Sequence, residues 1–205
     1  MTIPVITQVV LPAVIARYLP LCLFGQHLED NVLRGLMPVV AAIAGVLLAS
    51  DLFLLRTKDQ AALKHVAHGI LGLLVGIPVF HVTIVMFGAP IVELWMQTLL
   101  LAVLMSSCTT MSLAMHFGCA PRKWLDLLLE LRVNDREELY LVCSAIGAML
   151  GAYIGALPIP LDWDRPWQQW PLTCVYGTLF GHAVGVLVYV VIGATTHAAK
   201  LIKRD

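Results

Sequence analysis

The sequence predicts an all-α protein: a polytopic membrane helix bundle with about six transmembrane helices and both termini cytosolic. Three observations carry that expectation. Of the 205 residues, 60% are hydrophobic and only 13% are charged, against about 25% charged in an average soluble domain. The apolar residues gather into runs long enough to cross a bilayer, whose ~30 Å hydrocarbon core takes about 20 residues of helix. Lysine and arginine fall mostly on one side of the resulting topology, and that side is expected to be cytosolic.

The spans fall at roughly 4–24, 35–55, 69–88, 91–115, 139–157 and 172–196, within one transmembrane domain covering residues 1–205. The first contains Pro12, Arg17 and Pro20, and it lacks the basic leading segment of a cleaved signal peptide. The third and fourth are separated only by Gly88-Ala89-Pro90, so a tight helical hairpin is expected. The longest loop, about 116–138, mixes basic and apolar residues from Arg122 to Leu129. Such a stretch suits a helix lying at the cytosolic interface, or equally a short cap packed on the bundle. With six spans, ten of the thirteen basic residues lie at the termini or in the second and fourth loops. Arg34 and Arg165 lie on the opposite side, and Arg17 lies inside the first span.

Formal net charge is zero, which removes any bulk electrostatic case for nucleic acid. Cys22, Cys108, Cys119, Cys143 and Cys174 are scattered without a CxxC pair or zinc-ligand spacing, and read as small buried apolar residues. His65 and His68 stand three apart beside Lys64 at a span edge. With no carboxylate or cysteine to complete a metal site, they read as solvated interfacial residues. No loop is longer than about 25 residues, too little chain to fix a catalytic constellation to about half an ångström. No catalytic residue, metal or cofactor is expected.

Ionisable residues inside a bilayer are functional candidates by default, and Arg17, His81 and Glu93 stand out. Arg17 and Glu93 have opposite charge and matched expected depth, so an ion pair between them is expected. His81 reads as a helix–helix hydrogen-bonding residue rather than a proton relay, because no chain of acids continues from it.

The fifth span carries Gly147, Gly151 and Gly155, and the sixth Gly177, Gly181 and Gly185, each set four residues apart. In lipid, helix association depends on close van der Waals contact, which glycine permits. Either spans five and six pack against each other, or one glycine face receives a helix from another protein. Between them lies a stiff stretch containing Pro158, Pro160, Asp162, Trp163, Asp164, Arg165, Pro166, Trp167, Trp170 and Pro171. Proline denies it regular hydrogen bonding, and tryptophan suits the headgroup layer. A rigid interfacial cap, a docking surface for a partner and a headgroup contact through Arg165 all fit it.

These residues carry a resemblance. The run from Gly151 to Gln168, followed by Trp170-Pro171, resembles the signature of the PIG-F family of glycosylphosphatidylinositol (GPI) anchor synthesis. The block Phe80-His81-Val82, Gly88-Ala89-Pro90, Glu93-Leu94 and Thr109-Thr110 is similar to the same family, as is the Gly177/Gly181/Gly185 run. The resemblance covers residues 78–190 or so. It implies a multi-pass protein of the endoplasmic reticulum, and a non-catalytic subunit that stabilises the ethanolamine-phosphate transferases PIG-O and PIG-G. The charge count places the third and fifth loops on the non-cytosolic side, so these catalytic subunits are expected to be bound through membrane helices and the Pro/Trp-rich loop, on the lumenal face. Membrane lipids are its other expected contact. Localisation rests on the resemblance, since the ending Lys200–Asp205 offers only Lys203 toward a dilysine retrieval signal. Two other readings stand beside it: a membrane-embedded lipid-headgroup enzyme, or a lipid transporter, using Glu93, His81 and the Asp162/Asp164/Arg165 loop.

Overall fold

The computed structural model describes residues 2–55, 62–160 and 165–202, with side chains from 6 to 195 within those ranges. Asp162, Trp163 and Asp164 therefore lie outside the described residues. The described residues form helices α1 (Thr2–Phe24), α2 (Val32–Leu54), α3 (Ala62–Met86), α4 (Trp95–Cys108), α5 (Thr110–Phe117), α6 (Pro121–Leu129), α7 (Arg136–Ala156) and α8 (Leu172–Ile202), and no strand. With α4 and α5 taken together, six helical segments among them are long and apolar enough to cross a membrane.

Local sequence explains where the helices start and stop. Asn31 caps α2, its side-chain oxygen accepting from the Arg34 amide at 3.1 Å. Asp135 caps α7 in the same way, accepting from the Glu138 amide at 2.8 Å. Each cap occupies one of the amide donors that a helix N-terminus leaves unpaired. At the end of α3, Gly88 sits at φ +96°. The Gly88 amide donates to the Val85 carbonyl at 2.9 Å, and the Ala89 amide to the Ile84 carbonyl at 3.3 Å. This is the Schellman arrangement, whose left-handed residue is normally glycine, and it turns the α3–α4 hairpin. Pro12 and Pro20 lie inside α1, which runs through both without a break. Pro20 packs toward Gly35 of α2.

The fourth span is the central one, with 78% of its most apolar stretch buried within the bundle. It breaks at Thr109, φ −130° and ψ −82°, inside the run Ser106-Ser107-Cys108-Thr109-Thr110. Hydroxyls satisfy the backbone there. Ser107 donates to the Val103 carbonyl at 2.8 Å, Thr109 to Met105 at 2.7 Å and Thr110 to Ser106 at 3.2 Å. Such back-bonding competes with the regular ladder and bends helices. Ser106 instead reaches across to α3 and donates to the Leu73 carbonyl at 2.9 Å. Gly69, Gly72 and Gly76 of α3 face Met115, Ala114 and Thr110 there, so α3 lies close against the broken span.

α7 and α8 make the most extensive helix pair in the bundle. Their glycine rows face each other in antiparallel register. A Cβ added to Gly151 would land on the Gly177 carbonyl oxygen and lie 2.9 Å from the Gly181 Cα. One added to Gly181 would land on the Gly147 carbonyl oxygen and lie 2.8 Å from the Gly151 Cα. Gly155 meets Thr173 and Cys174, and Gly185 meets Cys143 and Ser144, in the same backbone-to-backbone way. All six glycines are therefore used inside the chain. The alternative, a glycine face held open for another protein's helix, does not describe this arrangement, because the opposing backbone already occupies both faces.

Gly151→Ala and Gly181→Ala are each expected to destabilise the fold by about 2 kcal/mol or more, the cost of overpacking a site with no slack. Gly45→Ala and Gly193→Ala, where an added Cβ meets nothing within 4 Å, serve as controls expected to hold or slightly raise stability. Thermal unfolding in detergent distinguishes the two pairs. Equal midpoints for both would mean that α7 and α8 part easily.

Candidate functional site

The fifth loop is fastened to the bundle by side chains that reach well beyond it. Trp170 donates its indole N–H to the Thr98 hydroxyl on α4 at 3.0 Å, and Thr98 in turn donates to the Leu94 carbonyl at 3.1 Å. Gln169 donates to the Glu29 carbonyl in the α1–α2 turn at 3.3 Å. Gln168 donates to the Pro158 carbonyl at 2.5 Å and closes the loop on itself. Pro166–Gln168 forms one turn of 3-10 helix, and Ile159 and Trp170 pack against the core. Arg165 and Pro160 are exposed, and Pro158 and Trp167 are half-buried. The α3–α4 hairpin lies at the same end of the bundle, where Phe87 stacks edge-on against Tyr153 of α7 with ring centroids 6.3 Å apart. Glu93 is exposed on that hairpin.

The expected Arg17–Glu93 ion pair does not occur among the described residues. Arg17 instead donates to His27 Nδ1 at 2.9 Å, and it lines a groove with Glu29 and Tyr176. α4 begins only at Trp95, which leaves Glu93 on the hairpin outside the helix, whereas Arg17 lies seven residues inside the end of α1 and faces the α1–α2 turn. His81 also departs from expectation. It is half-buried, and its Nδ1 has no hydrogen-bond partner among the described residues. His65, expected in solvent, is buried, with Nδ1 2.9 Å from the Met115 carbonyl. It ties the start of α3 to the end of α5.

A polar centre joins four helices inside the bundle. Asp51 of α2 is fully buried. Gln8 of α1 donates to its Oδ1 at 2.6 Å, Tyr140 of α7 donates to the same oxygen at 2.7 Å, and Ser112 of α5 donates to Oδ2. The Tyr140 hydroxyl also lies 2.5 Å from Gln8 Oε1, so its single proton is shared between two acceptors. Tyr140 packs edge-on against Tyr189 of α8 at 5.6 Å between centroids. A carboxylate enclosed by three donors from three other helices is held in one orientation. Its geometry is that of a fastening.

Near the opposite end, ligand atoms of His116, Asp135 and Glu138 lie within 4.8 Å of one another. The two carboxylates are already committed there. Asp135 caps α7, while Glu138 Oε2 accepts from the Asn134 amide at 2.6 Å and its side-chain amide at 3.0 Å. The grouping is a helix cap. α6 lies beside it with Leu127 buried, and Trp124 donating to the Gly118 carbonyl at 3.2 Å, while Leu125 and Leu129 are exposed. It is thus packed on the bundle by one side and open on the other.

The family model described as "GPI biosynthesis protein family Pig-F" matches residues 5–190. The chain belongs to the Pig-F family. Among curated relatives it is similar to the "GPI ethanolamine phosphate transferase, stabilizing subunit" of Homo sapiens, 41% identical over 109 residues, covering 53% of this chain and 50% of that protein. The Mus musculus protein of the same description is 39% identical over 108 residues, 53% of this chain and 49% of that protein. The "Glycosylphosphatidylinositol anchor biosynthesis protein 11" of Yarrowia lipolytica is 38% identical over 104 residues, 51% of this chain and 45% of that protein. The matched segments thus span about half the length of these curated relatives. No solved structure matches the chain.

Within this Pig-F family chain, sequence reasoning passed over the residues that join the helices. Asp51 lies four residues from the expected end of its span, where an acid reads as an edge. Its signal was available: an acid inside a membrane-length run, with Gln8 and Tyr140 in two other spans. His182 of α8 was also passed over. It is buried, and neither ring nitrogen has a hydrogen-bond partner among the described residues.

Asp51→Leu would strand the Gln8 and Ser112 donors, while Tyr140 keeps Gln8 Oε1 as acceptor, and is expected to cost about 3 kcal/mol, since a buried orphaned donor costs ~1–3 kcal/mol. Tyr140→Phe removes one hydrogen bond and is expected to cost about 1 kcal/mol. Denaturation in detergent gives both values. An Asp51→Leu protein as stable as the wild type would show that the polar centre fastens nothing.

Proposed function

We propose that this chain is a non-catalytic stabilising subunit of GPI ethanolamine-phosphate transferase complexes of the PIG-O and PIG-G type. It acts in GPI-anchor biosynthesis in the endoplasmic reticulum membrane, and it binds the catalytic subunit through membrane helices and the Pro/Trp-rich loop. The observation that carries this reading is the fastening of that loop. Trp170 is tied to α4 and Gln169 to the α1–α2 turn, while Arg165 and Pro160 beside them stay exposed. A surface held rigid before contact loses little entropy on binding, and affinity rises by that saving. Family membership and the descriptions of the relatives support the choice of partner. The buried polar centre fits a non-catalytic role, since its carboxylate is enclosed and held by three donors within the bundle.

The excess of basic residues at the termini and in the second and fourth loops supports a cytosolic position for them. The fifth loop and the α3–α4 hairpin then face the lumen, where they present one surface to the partner.

The test has two arms. Deleting the chain should lower the abundance of its transferase several-fold, and the purified chain alone should transfer no ethanolamine phosphate. Transfer by the isolated chain would make it the enzyme and end this reading. Arg165→Glu, at an exposed site, should leave thermal stability unchanged while weakening co-purification of the transferase about tenfold, as the loss of a hot-spot arginine does. Undiminished co-purification would remove the loop from the interface.

A further inference from the structure

A groove of about 680 Å³ runs between α1 and α8, within the size range of small-molecule sites. Val9, Ala13, Leu179 and Leu187 supply apolar walls, and Arg17 and Glu29 line the same groove. Val9 and Arg17 are eight residues apart on α1, about 12 Å along a helix rising ~1.5 Å per residue. The groove thus follows the middle of α1, from Val9 before its centre to Arg17 past it. Its charged head is the end nearer the α1–α2 turn, where Arg17 of α1 bonds His27 and Glu29 lies in the turn itself.

The head is chemically unfinished. Arg17 is exposed on a membrane-spanning helix, yet among the described residues it has a single hydrogen bond, to His27. A guanidinium carries five N–H donors, and a cation within a bilayer is costly without an anionic partner. Glu29 is half-buried and has no ion pair or side-chain hydrogen bond among the described residues. The two opposite charges line one groove without forming a salt bridge to each other. Their arrangement is complementary to a ligand that carries a phosphate and an ammonium together.

We propose that this groove binds one bilayer phospholipid with a primary-amine zwitterionic headgroup, of the phosphatidylethanolamine class. The phosphate takes the free guanidinium donors of Arg17, since planar guanidinium matches phosphate geometry. The ammonium donates to the Glu29 carboxylate, and one acyl chain lies along α1 and α8. A choline headgroup has no N–H to give Glu29, and an anionic headgroup without an amine sets negative charge against it. The site belongs to this chain alone, so its test needs no transferase and its failure leaves the partner reading untouched.

The experiment equilibrates the purified full chain in detergent with equal parts phosphatidylethanolamine, phosphatidylcholine and phosphatidylglycerol, washes it, and measures retained lipid by mass spectrometry. Phosphatidylethanolamine should be retained about tenfold over each of the others, the worth of one charge-assisted hydrogen bond. Glu29→Gln should abolish that preference, Arg17→Gln should lower retention of every phospholipid, and Ala13→Trp should fill the groove and expel the lipid. Glu29 and Ala13 are not core positions, so these two variants decide the matter even where Arg17→Gln fails to fold. Equal retention of the three lipids, as for a nonspecific lipid annulus, overturns the proposal. So does unchanged phosphatidylethanolamine preference in folded Glu29→Gln and unchanged retention in Ala13→Trp.

Discussion

Where α7 and α8 meet, the backbones approach so closely that a methyl group does not fit between them at any of six positions. Lipid gives no hydrophobic drive to pair one apolar helix with another, so contact energy has to come from packing. Glycine lets carbonyl and Cα groups meet directly, and many weak dispersion contacts accumulate over that length. Other contacts build outward from this pair. α1 lies along α8, while α4 contacts both α7 and α8. The fifth loop is the connection between α7 and α8, so the separation of these helices sets the distance its ends must span.

Polar satisfaction is the second constraint, and in a membrane it works more strictly than in water. A donor or acceptor in the hydrocarbon region has no solvent to fall back on. The chain answers in two ways. Along α4 and α5, hydroxyls return to carbonyls of their own helix or reach α3. At Asp51, groups from α1, α5 and α7 converge on one carboxylate. The second device has more consequence for architecture. Packing alone tolerates sliding of one helix on another, whereas three directional hydrogen bonds specify one register for four helices.

How much was legible in the sequence follows from what each signal encodes. Run length and hydropathy encode membrane crossing, so the spans stand out in composition alone. Four-residue spacing encodes a helix face, so the glycine rows were readable as surfaces of close approach. Spacing does not say what fills the face, and the structure answers with the neighbouring span. Depth encodes level but not azimuth. Successive residues of a helix point ~100° apart, and hydropathy blurs where a helix starts, so it shows neither that Glu93 precedes α4 nor that Arg17 turns to His27. Asp51 was hidden for a related reason. A lone acid gains meaning only with Gln8, Ser112 and Tyr140, which lie 43, 61 and 89 residues away. Local pattern carries no information at such separations. His65 shows the same limit, since its partner is the Met115 carbonyl, 50 residues on.

The two constraints meet at the fifth loop. Proline withdraws amide donors from it, so it cannot be held by a backbone ladder and has to be held by side chains. Trp170 and Gln169 do this, and their acceptors lie on α4 and in the α1–α2 turn. The placement of Gln169 and Trp170 is therefore a property of the assembled bundle, and slipped helices would move them. The same dependence applies to the Arg17 groove, whose two walls belong to α1 and α8. One wall is positioned by the α7–α8 contact and the other by Gln8 at the polar centre. Surface features at this end of the molecule thus inherit their geometry from glycines and a carboxylate that lie between the helices.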